Sequence, residues 1–254
     1  MREKNKFFME KKHFDDEGFI IIRGLYDSNE IEEIRDSFKG FNDLKKDPDI
    51  ETDIFSSYPR IMETHKNNEV AFKYMIHPKV STILKNLFQE DALACHSMFY
   101  LKPPGALGQA LHQDNFYLKM EPEPCIGVWV ALDDSDEENG ALVVVPKSHR
   151  TPIQCPHRSN PEMSFTREEV NIPEGMEVIT VELKSGDAIF FSGNIIHGSY
   201  PNSSKKRFRR SFITHYAASS TKKAGNIYAH MYNMEGEEVV IEDNTFAGPC
   251  GNEY

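Results

Sequence analysis

The stretch Leu111-His112-Gln113-Asp114-Asn115-Phe116 carries a histidine and an aspartate two positions apart. In an extended segment, the side chains at positions i and i+2 point to the same face. An imidazole and a carboxylate on one face of a strand form two corners of a metal site. The pattern His-x-Asp also arises by chance in many proteins. It therefore predicts a metal site only together with a third ligand from elsewhere in the chain.

The third corner is predicted by Asn194-Ile195-Ile196-His197-Gly198-Ser199, which follows the apolar stretch Ala188-Ile189-Phe190-Phe191. Two histidines and one carboxylate form the facial triad of non-haem Fe(II) oxygenases, which leaves metal positions open for substrate and oxygen. We therefore predict an iron site made of His112, Asp114 and His197. The alternative is that His197 is an ordinary buried histidine with its hydrogen bonds satisfied.

A cluster of basic residues follows the second motif. A planar guanidinium beside a metal is suited to binding a carboxylate through two hydrogen bonds. A dicarboxylic co-substrate could then chelate iron at one end and pair with Arg209, which begins a predicted strand, at the other. The alternative for the cluster is a solvated hairpin turn, which we assign to Lys205, Lys206 and Arg207.

Short segments separated by turns follow from about residue 91. In 177–183, apolar and polar residues alternate with the period of a half-buried strand. The predicted strands are 95–101, 109–118, 125–132, 141–145, 177–183, 187–191 and 208–217. Many short strands at close spacing predict a sandwich or barrel. Residues 151–176 hold four prolines and break this rhythm, which indicates either a functional insertion or a disordered surface excursion.

The first ninety residues are predicted to be mostly helical around one short buried strand, Phe19-Ile20-Ile21-Ile22. The residues Asp27-Ser28-Asn29-Glu30 fit a capping box at the start of a helix. A second helix is predicted from apolar residues at helical spacing, namely Val80, Ile83, Leu84 and Leu87. The fold class is therefore mainly β with flanking helices.

Composition limits the kind of partner. The 254 residues include 29 Lys and Arg against 40 Asp and Glu, a net charge of −11. This charge argues against nucleic acid or an anionic membrane as the main partner. No apolar run approaches the roughly 18 residues of a membrane span. We expect neither a secretory signal nor a peroxisomal address, because residues 1–6 lead into no apolar stretch and 251–254 match no such tail.

The four cysteines lie far apart at Cys95, Cys125, Cys155 and Cys250. This spacing predicts neither a disulfide framework nor a zinc site. We therefore expect reduced thiols and a cytoplasmic protein.

Taken in chain order, the motifs resemble the phytanoyl-CoA dioxygenase-like (PhyH) family of Fe(II)/2-oxoglutarate-dependent oxygenases. The resemblance spans roughly residues 14 to 217. The matching pieces are Phe14-Asp15-Asp16-Glu17-Gly18-Phe19, Arg23-Gly24-Leu25, His96-Ser97-Met98, Lys102-Pro103-Pro104, His112-Gln113-Asp114, Val128-Trp129, Asn139-Gly140-Ala141-Leu142, Pro146-Lys147-Ser148-His149-Arg150, Gly186-Asp187, His197-Gly198-Ser199, Asn202 and Arg209.

The resemblance implies a double-stranded β-helix, the cupin-like jelly roll, as the core of a single domain over 1–254. In that arrangement 1–90 supply mainly helical support and 91–217 form the core. Residues 151–176 are then a possible lid, and 218–254 form a C-terminal extension.

The resemblance also implies a role for each matching residue. His112, Asp114 and His197 match the metal ligands. Arg209 matches the arginine that binds the distal carboxylate of 2-oxoglutarate, with the Ser199 hydroxyl beside it, while Met98 and Trp129 line the co-substrate pocket. The loop before Arg209 is one residue longer than usual, so Arg210 stays a second candidate, although spacing to Tyr216 favours Arg209. Lys147 stands where the family usually has glycine.

The implied reaction uses Fe(II), 2-oxoglutarate and O2, with ascorbate as a helpful addition. It hydroxylates an aliphatic C–H bond of a small-molecule metabolite and releases succinate and CO2. Asp114 favours hydroxylation over halogenation, because halogenases of the family lack this carboxylate.

The sequence leaves three alternatives to this reaction. The first is an acyl-CoA 2-hydroxylase, which the family name suggests. The acidic residues between Glu121 and Glu138 favour a small neutral or cationic substrate instead. The other interpretation of these acidic residues is a solvated face. A cupin-like iron protein without 2-oxoglutarate leaves Arg209 and Ser199 unexplained. A non-catalytic jelly-roll ligand-binding or scaffold protein is the third, although such proteins typically lose a metal ligand. The oligomeric state is left open.

Overall fold

The computed structural model describes residues 2–39, 60–122, 124–244 and 250. Within these ranges the α-helices are α1 (Arg2–Glu17), α2 (Ser28–Ser37), α3 (Glu69–Met75), α4 (Pro78–Phe88) and α5 (Asp114–Leu118). The strands are β1 (Phe19–Ile22), β2 (Arg60–Met62), β3 (Ala92–Tyr100), β4 (Gln109–His112), β5 (Ile126–Ala131), β6 (Leu142–Val144), β7 (His157–Arg158), β8 (Glu168–Glu169), β9 (Ile179–Val181), β10 (Ala188–Ser192), β11 (His197–Ser199), β12 (Ser211–Ala218), β13 (Lys223–Ala224), β14 (His230–Asn233), β15 (Glu238–Val240) and β16 (Glu242–Asp243).

Two antiparallel sheets form the core. The large sheet has the strand order β1-β10-β5-β12-β3-β14-β15, with β2 also paired to β3, and the small sheet has the order β4-β11-β6-β9. Apolar side chains from both sheets meet between them, among them Trp129 and Phe191 from the large sheet and Leu142 and Val144 from the small one. This architecture confirms the predicted mainly β fold with a double-stranded β-helix core.

Helices cover the other face of the large sheet. Because strand side chains alternate between two faces, Val128 and Val130 of β5 pack toward the helices while Trp129 between them faces the small sheet. Ile34 of α2 and Leu84 of α4 are fully buried in this second layer. Each such apolar side chain contributes about 1.5–3 kcal/mol when it leaves water, so the helices support the sheet firmly.

Both helices predicted from the first ninety residues are present: α2 begins at the predicted capping box, and α4 buries Val80, Ile83, Leu84 and Leu87. The Asp27 side chain accepts hydrogen bonds from the backbone N–H groups of Asn29 and Glu30, and the Glu30 carboxylate accepts from the Asp27 N–H. Helix α4 begins with Pro78, whose missing N–H costs no helical hydrogen bond at that position. Across the described residues, no helix has the length and apolar character needed to cross a membrane.

The predicted strand 109–118 is wrong in its second half. Strand β4 ends at His112, and α5 begins at Asp114. Gln113, between them, keeps an extended backbone with φ −121° and ψ 120°. Helix α5 then buries Leu118 in a separate apolar cluster. This burial depends on residues distant in the chain, so the segment's own sequence could not reveal it.

The insertion 151–176 packs on the small sheet. It contains the β7–β8 hairpin, and β8 lies against β4. The Val170 N–H donates to the Leu111 carbonyl at 2.9 Å, and the Val170 side chain is buried with Val145 and Ile196. The described insertion is therefore a packed element and not a disordered excursion.

Cys155 and Cys250 are joined by a disulfide, whereas Cys95 and Cys125 are free and buried. The expectation that all four thiols are reduced is therefore wrong. The two bonded cysteines lie 95 positions apart in the sequence, and only the tertiary fold brings them together. Reduced thiols therefore no longer support a cytoplasmic location, which stays a prediction.

Candidate metal centre and co-substrate pocket

Three side chains of the ligand types that iron prefers converge at one end of the small sheet. His112 closes β4, His197 opens the neighbouring strand β11, and the two residues are paired in the ladder. Asp114 follows at the first position of α5. One ligand atom from each residue lies within 4.8 Å of the others. The break after β4 therefore preserves the convergence that an extended His-x-Asp segment predicts.

Backbone carbonyls orient both imidazoles. His112 Nδ1 lies 2.9 Å from the Ala110 oxygen, and His197 Nδ1 lies 3.2 Å from the Ile195 oxygen. A carbonyl only accepts, so each Nδ1 carries the proton and each Nε2 keeps its lone pair. Ligating histidines in metal sites are held in this way. The donor set of two Nε2 atoms and one carboxylate fits Fe(II).

Electrostatics keep the ligands in their metal-binding forms. Burial alone would raise the pKa of the Asp114 carboxyl, but the neighbouring His197 and His215 imidazoles hold it well below its usual range. Burial, together with the neighbouring His112, lowers the pKa of His197 to about 4. At neutral pH the site therefore presents an ionised carboxylate and a neutral His197 imidazole.

His215 is a functional neighbour that the sequence reasoning missed. Its Nε2–H donates to Asp114 Oδ2 at 2.9 Å, and the residue is only 2% exposed. It lies on β12 with the same parity as Arg209, and strand alternation places such residues on one face. That parity was the signal that could have found it.

A cavity of about 420 Å³ adjoins the three ligands. Its walls include all seven residues that the sequence singles out for iron and 2-oxoglutarate, namely His112, Asp114, His197, Met98, Trp129, Ser199 and Arg209. The fold thus brings every predicted site residue to one cavity.

Arg209 and Arg210 point to different surroundings. Arg209 is 3% exposed, and its guanidinium carbon lies 5.1 Å from the centre of the Trp129 ring. Its Nε donates to the Gly140 carbonyl at 3.1 Å, which holds the plane of the guanidinium. Burial lowers the pKa of Arg209 to about 10, so it stays charged at neutral pH. The Arg210 guanidinium instead donates two hydrogen bonds to the Asp133 carboxylate, at 2.8 and 2.7 Å.

The acidic run after the His-x-Asp motif lies away from the cavity. Asp133 pairs with Arg210, Asp134 with Lys184, and Asp136 with Arg207. None of the described members of the run lines the cavity, whose charged walls outside the triad and Arg209 are Arg60, Arg167 and Glu168. Glu123 lies outside the described residues. The run therefore offers no argument for a neutral or cationic substrate.

A family model described as phytanoyl-CoA dioxygenase (PhyH) matches residues 14–211. Phytanoyl-CoA dioxygenase 1 of Oryza sativa subsp. japonica is 30% identical over 147 residues, which cover 54% of this chain and 50% of that protein. The peroxisomal phytanoyl-CoA dioxygenase of Rattus norvegicus is 26% identical over 258 residues, which cover 93% of this chain and 76% of that protein.

Among solved structures, the epimerase SnoN in complex with Fe3+, alpha ketoglutarate and nogalamycin RO resembles this chain with a TM-score of 0.71. The match covers 86% of each chain at 17% sequence identity. At this identity the likeness concerns the fold, and it agrees with the two-sheet core described above.

Proposed function

The chain belongs to the phytanoyl-CoA dioxygenase family of Fe(II)/2-oxoglutarate-dependent oxygenases, and we propose that it hydroxylates an aliphatic C–H bond of a small-molecule metabolite. The observation that carries the proposal is the presence of two subsites in one cavity. The triad His112, Asp114 and His197 offers a metal site, and the buried Arg209 offers a partner for a carboxylate.

Each residue has a distinct task in this proposal. Iron with 2-oxoglutarate supplies the chemistry by which O2 is used, substrate is hydroxylated, and succinate and CO2 are released. His112 and His197 would hold the metal through Nε2, and Asp114 through its carboxylate. Arg209 would bind the distal carboxylate of the co-substrate, with Ser199 beside it. Met98 and Trp129 wall the cavity and would exclude water from the bound co-substrate.

The substrate is proposed by class. A cavity of about 420 Å³ is of the size that takes a small metabolite. The second candidate is an acyl-CoA, which the names of the relatives support, together with Arg60 and Arg167, two of the three charged walls outside the triad and Arg209. An acyl-CoA carries several negative charges, which such walls attract. Stimulation of turnover by an acyl-CoA, compared with a panel of small metabolites, separates the two candidates.

We further propose that the insertion 151–176 acts as a lid. Its residues 165–168 line the cavity, and the Tyr117 hydroxyl donates to Glu168 Oε2 at 2.7 Å. Tyr117 belongs to α5, the helix that begins with the ligand Asp114. The hydrogen bond thus links the insertion to the element that carries a ligand.

The test is succinate formation from 2-oxoglutarate under air, with Fe(II) and ascorbate. We expect slow turnover without substrate that Arg209→Ala removes, because the distal carboxylate then lacks its cation. Arg210→Ala is the matched control, and we expect it to keep this turnover, since Arg210 pairs with Asp133. Wild-type protein that binds neither iron nor 2-oxoglutarate would contradict the proposal and favour the non-catalytic alternative.

A further inference from the structure

Lys102 is a buried lysine to which the proposed function assigns no role. It follows β3, is 7% exposed, and its Nζ lies 2.8 Å from Ser199 Oγ. Among the described residues, no carboxylate lies within ion-pair distance of this amine. A buried cation without an anionic partner is costly, so its position calls for a physical reason.

The side chains of Arg209 and Lys102 both approach Gly140. Arg209 Nε donates to the Gly140 carbonyl. A Cβ added at Gly140 would lie 2.6 Å from Lys102 Cε, so the absence of a side chain is what gives the lysine stem its space. Burial, and then the charge of Arg209, hold the pKa of Lys102 well below its usual range. An anion bound at Arg209 would oppose this shift, because an opposite charge favours the charged form.

The hydrogen bonds of Ser199 then leave its hydroxyl proton for a ligand. Ser199 Oγ accepts from the Gln109 backbone N–H at 3.2 Å and lies within hydrogen-bond distance of Lys102 Nζ. A carboxylate bound at Arg209 favours the ammonium form of Lys102, which only donates, whereas a hydroxyl has two acceptor lone pairs and one proton. With both lone pairs engaged, the proton can only be donated elsewhere. Ser199 lines the same cavity as Arg209.

We propose that Lys102 is a positioning residue of the co-substrate subsite, which holds the Ser199 hydroxyl as a hydrogen-bond donor toward the distal carboxylate of 2-oxoglutarate. Lys102 itself does not line the cavity and acts through Ser199 and through its charge. This inference rests on the proposed function, because it requires 2-oxoglutarate as the ligand.

The test measures binding directly, by calorimetry with the Fe(II) protein under anaerobic conditions. Lys102→Met keeps a stem of similar shape and removes the amine. We expect the Kd for 2-oxoglutarate to rise about 10-fold to 100-fold, the range of a hydrogen bond to a charged group. The Kd for 2-oxovalerate, which lacks the distal carboxylate, is expected to stay the same. The matched control is Lys184→Met, at an exposed lysine paired with Asp134, and it changes neither Kd.

Action through Ser199 is tested in the double variant. In a Ser199→Ala background, Lys102→Met is expected to weaken 2-oxoglutarate binding much less than it does in the wild type. An unchanged Kd for 2-oxoglutarate in Lys102→Met would overturn the inference, as would equal weakening of 2-oxoglutarate and 2-oxovalerate. If Lys102→Met does not fold, Lys102→Gln decides by the same two Kd values: a selective loss of 2-oxoglutarate affinity supports the inference, and no loss overturns it. Wild-type protein that does not bind 2-oxoglutarate would instead overturn the proposed function itself.

Discussion

Residues at alternate positions along β12 and the segment before it face either the cavity or the helical layer. Arg209, which leads into the strand, and Ile213 and His215 within it line the cavity, whereas Phe212 and Tyr216 pack against the helices. The strand is hydrogen-bonded on both sides, to β3 and to β5. His215, the partner of Asp114, is therefore held within a strand paired on both sides, and Arg209 lies two residues before its start.

His215 gives a prediction at this scale. His215→Phe keeps a ring of similar size and removes the N–H that donates to Asp114 Oδ2. Partners of metal ligands typically contribute about 10-fold to 100-fold in metal affinity. We expect a loss of this size in Fe(II) affinity, measured by calorimetry under anaerobic conditions, with the thermal stability of the metal-free protein largely kept.

The control for this change is His230→Phe, at an exposed histidine on β14 that lies outside the cavity. It should bind iron as the wild type does. If His215→Phe also bound iron with wild-type affinity, the hydrogen bond to Asp114 would have no part in orienting the ligand.

At the scale of elements, the site depends on an early end to β4. The sequence analysis predicts a strand over 109–118, but the chain turns into α5 directly after Gln113. The extended backbone of Gln113 keeps His112 and Asp114 on one side, with their ligand atoms 3.4 Å apart. The motif's chemistry was predictable because it depends on neighbouring residues, while the strand's end depends on what α5 packs against.

The lid proposal is tested on the insertion as an element. We expect backbone amides in 157–169 to exchange hydrogen more slowly when Fe(II), 2-oxoglutarate and substrate are bound, because the segment 165–168 lines the cavity they fill. Amide exchange followed by mass spectrometry measures this, and Tyr117→Phe, which removes the hydrogen bond to Glu168, should reduce the protection. Equal exchange with and without ligands would count against a lid.

For the whole molecule, the disulfide is the feature on which sequence reasoning and structure differ most. Sparse cysteines without paired spacing favour free thiols, yet Cys155 of the insertion and Cys250 near the C-terminus are bonded. A cross-link over so long an interval restricts the unfolded chain, and such bonds typically contribute about 2–4 kcal/mol to stability.

Thiol titration checks this assignment. In denaturant without reductant, the protein is expected to show two reactive thiols, from the free Cys95 and Cys125. After reduction it should show four, since Cys155 and Cys250 are then released. Four reactive thiols in freshly purified, unreduced protein would contradict the disulfide and support a fully reduced chain.

The amino-acid sequence alone led to the mainly β fold, to a helix that begins at a capping box, to a second helix, and to seven of the residues that line the cavity. Alternation, capping and ligand chemistry predict most of these features from neighbouring residues, whereas Met98, Trp129 and Ser199 follow from the family resemblance. Other contacts join residues far apart in the chain, so only the folded molecule could assign them. They are the hydrogen bond of His215 to Asp114, the pairing of Arg210 with Asp133, the approach of Lys102 to Ser199 and the bond between Cys155 and Cys250.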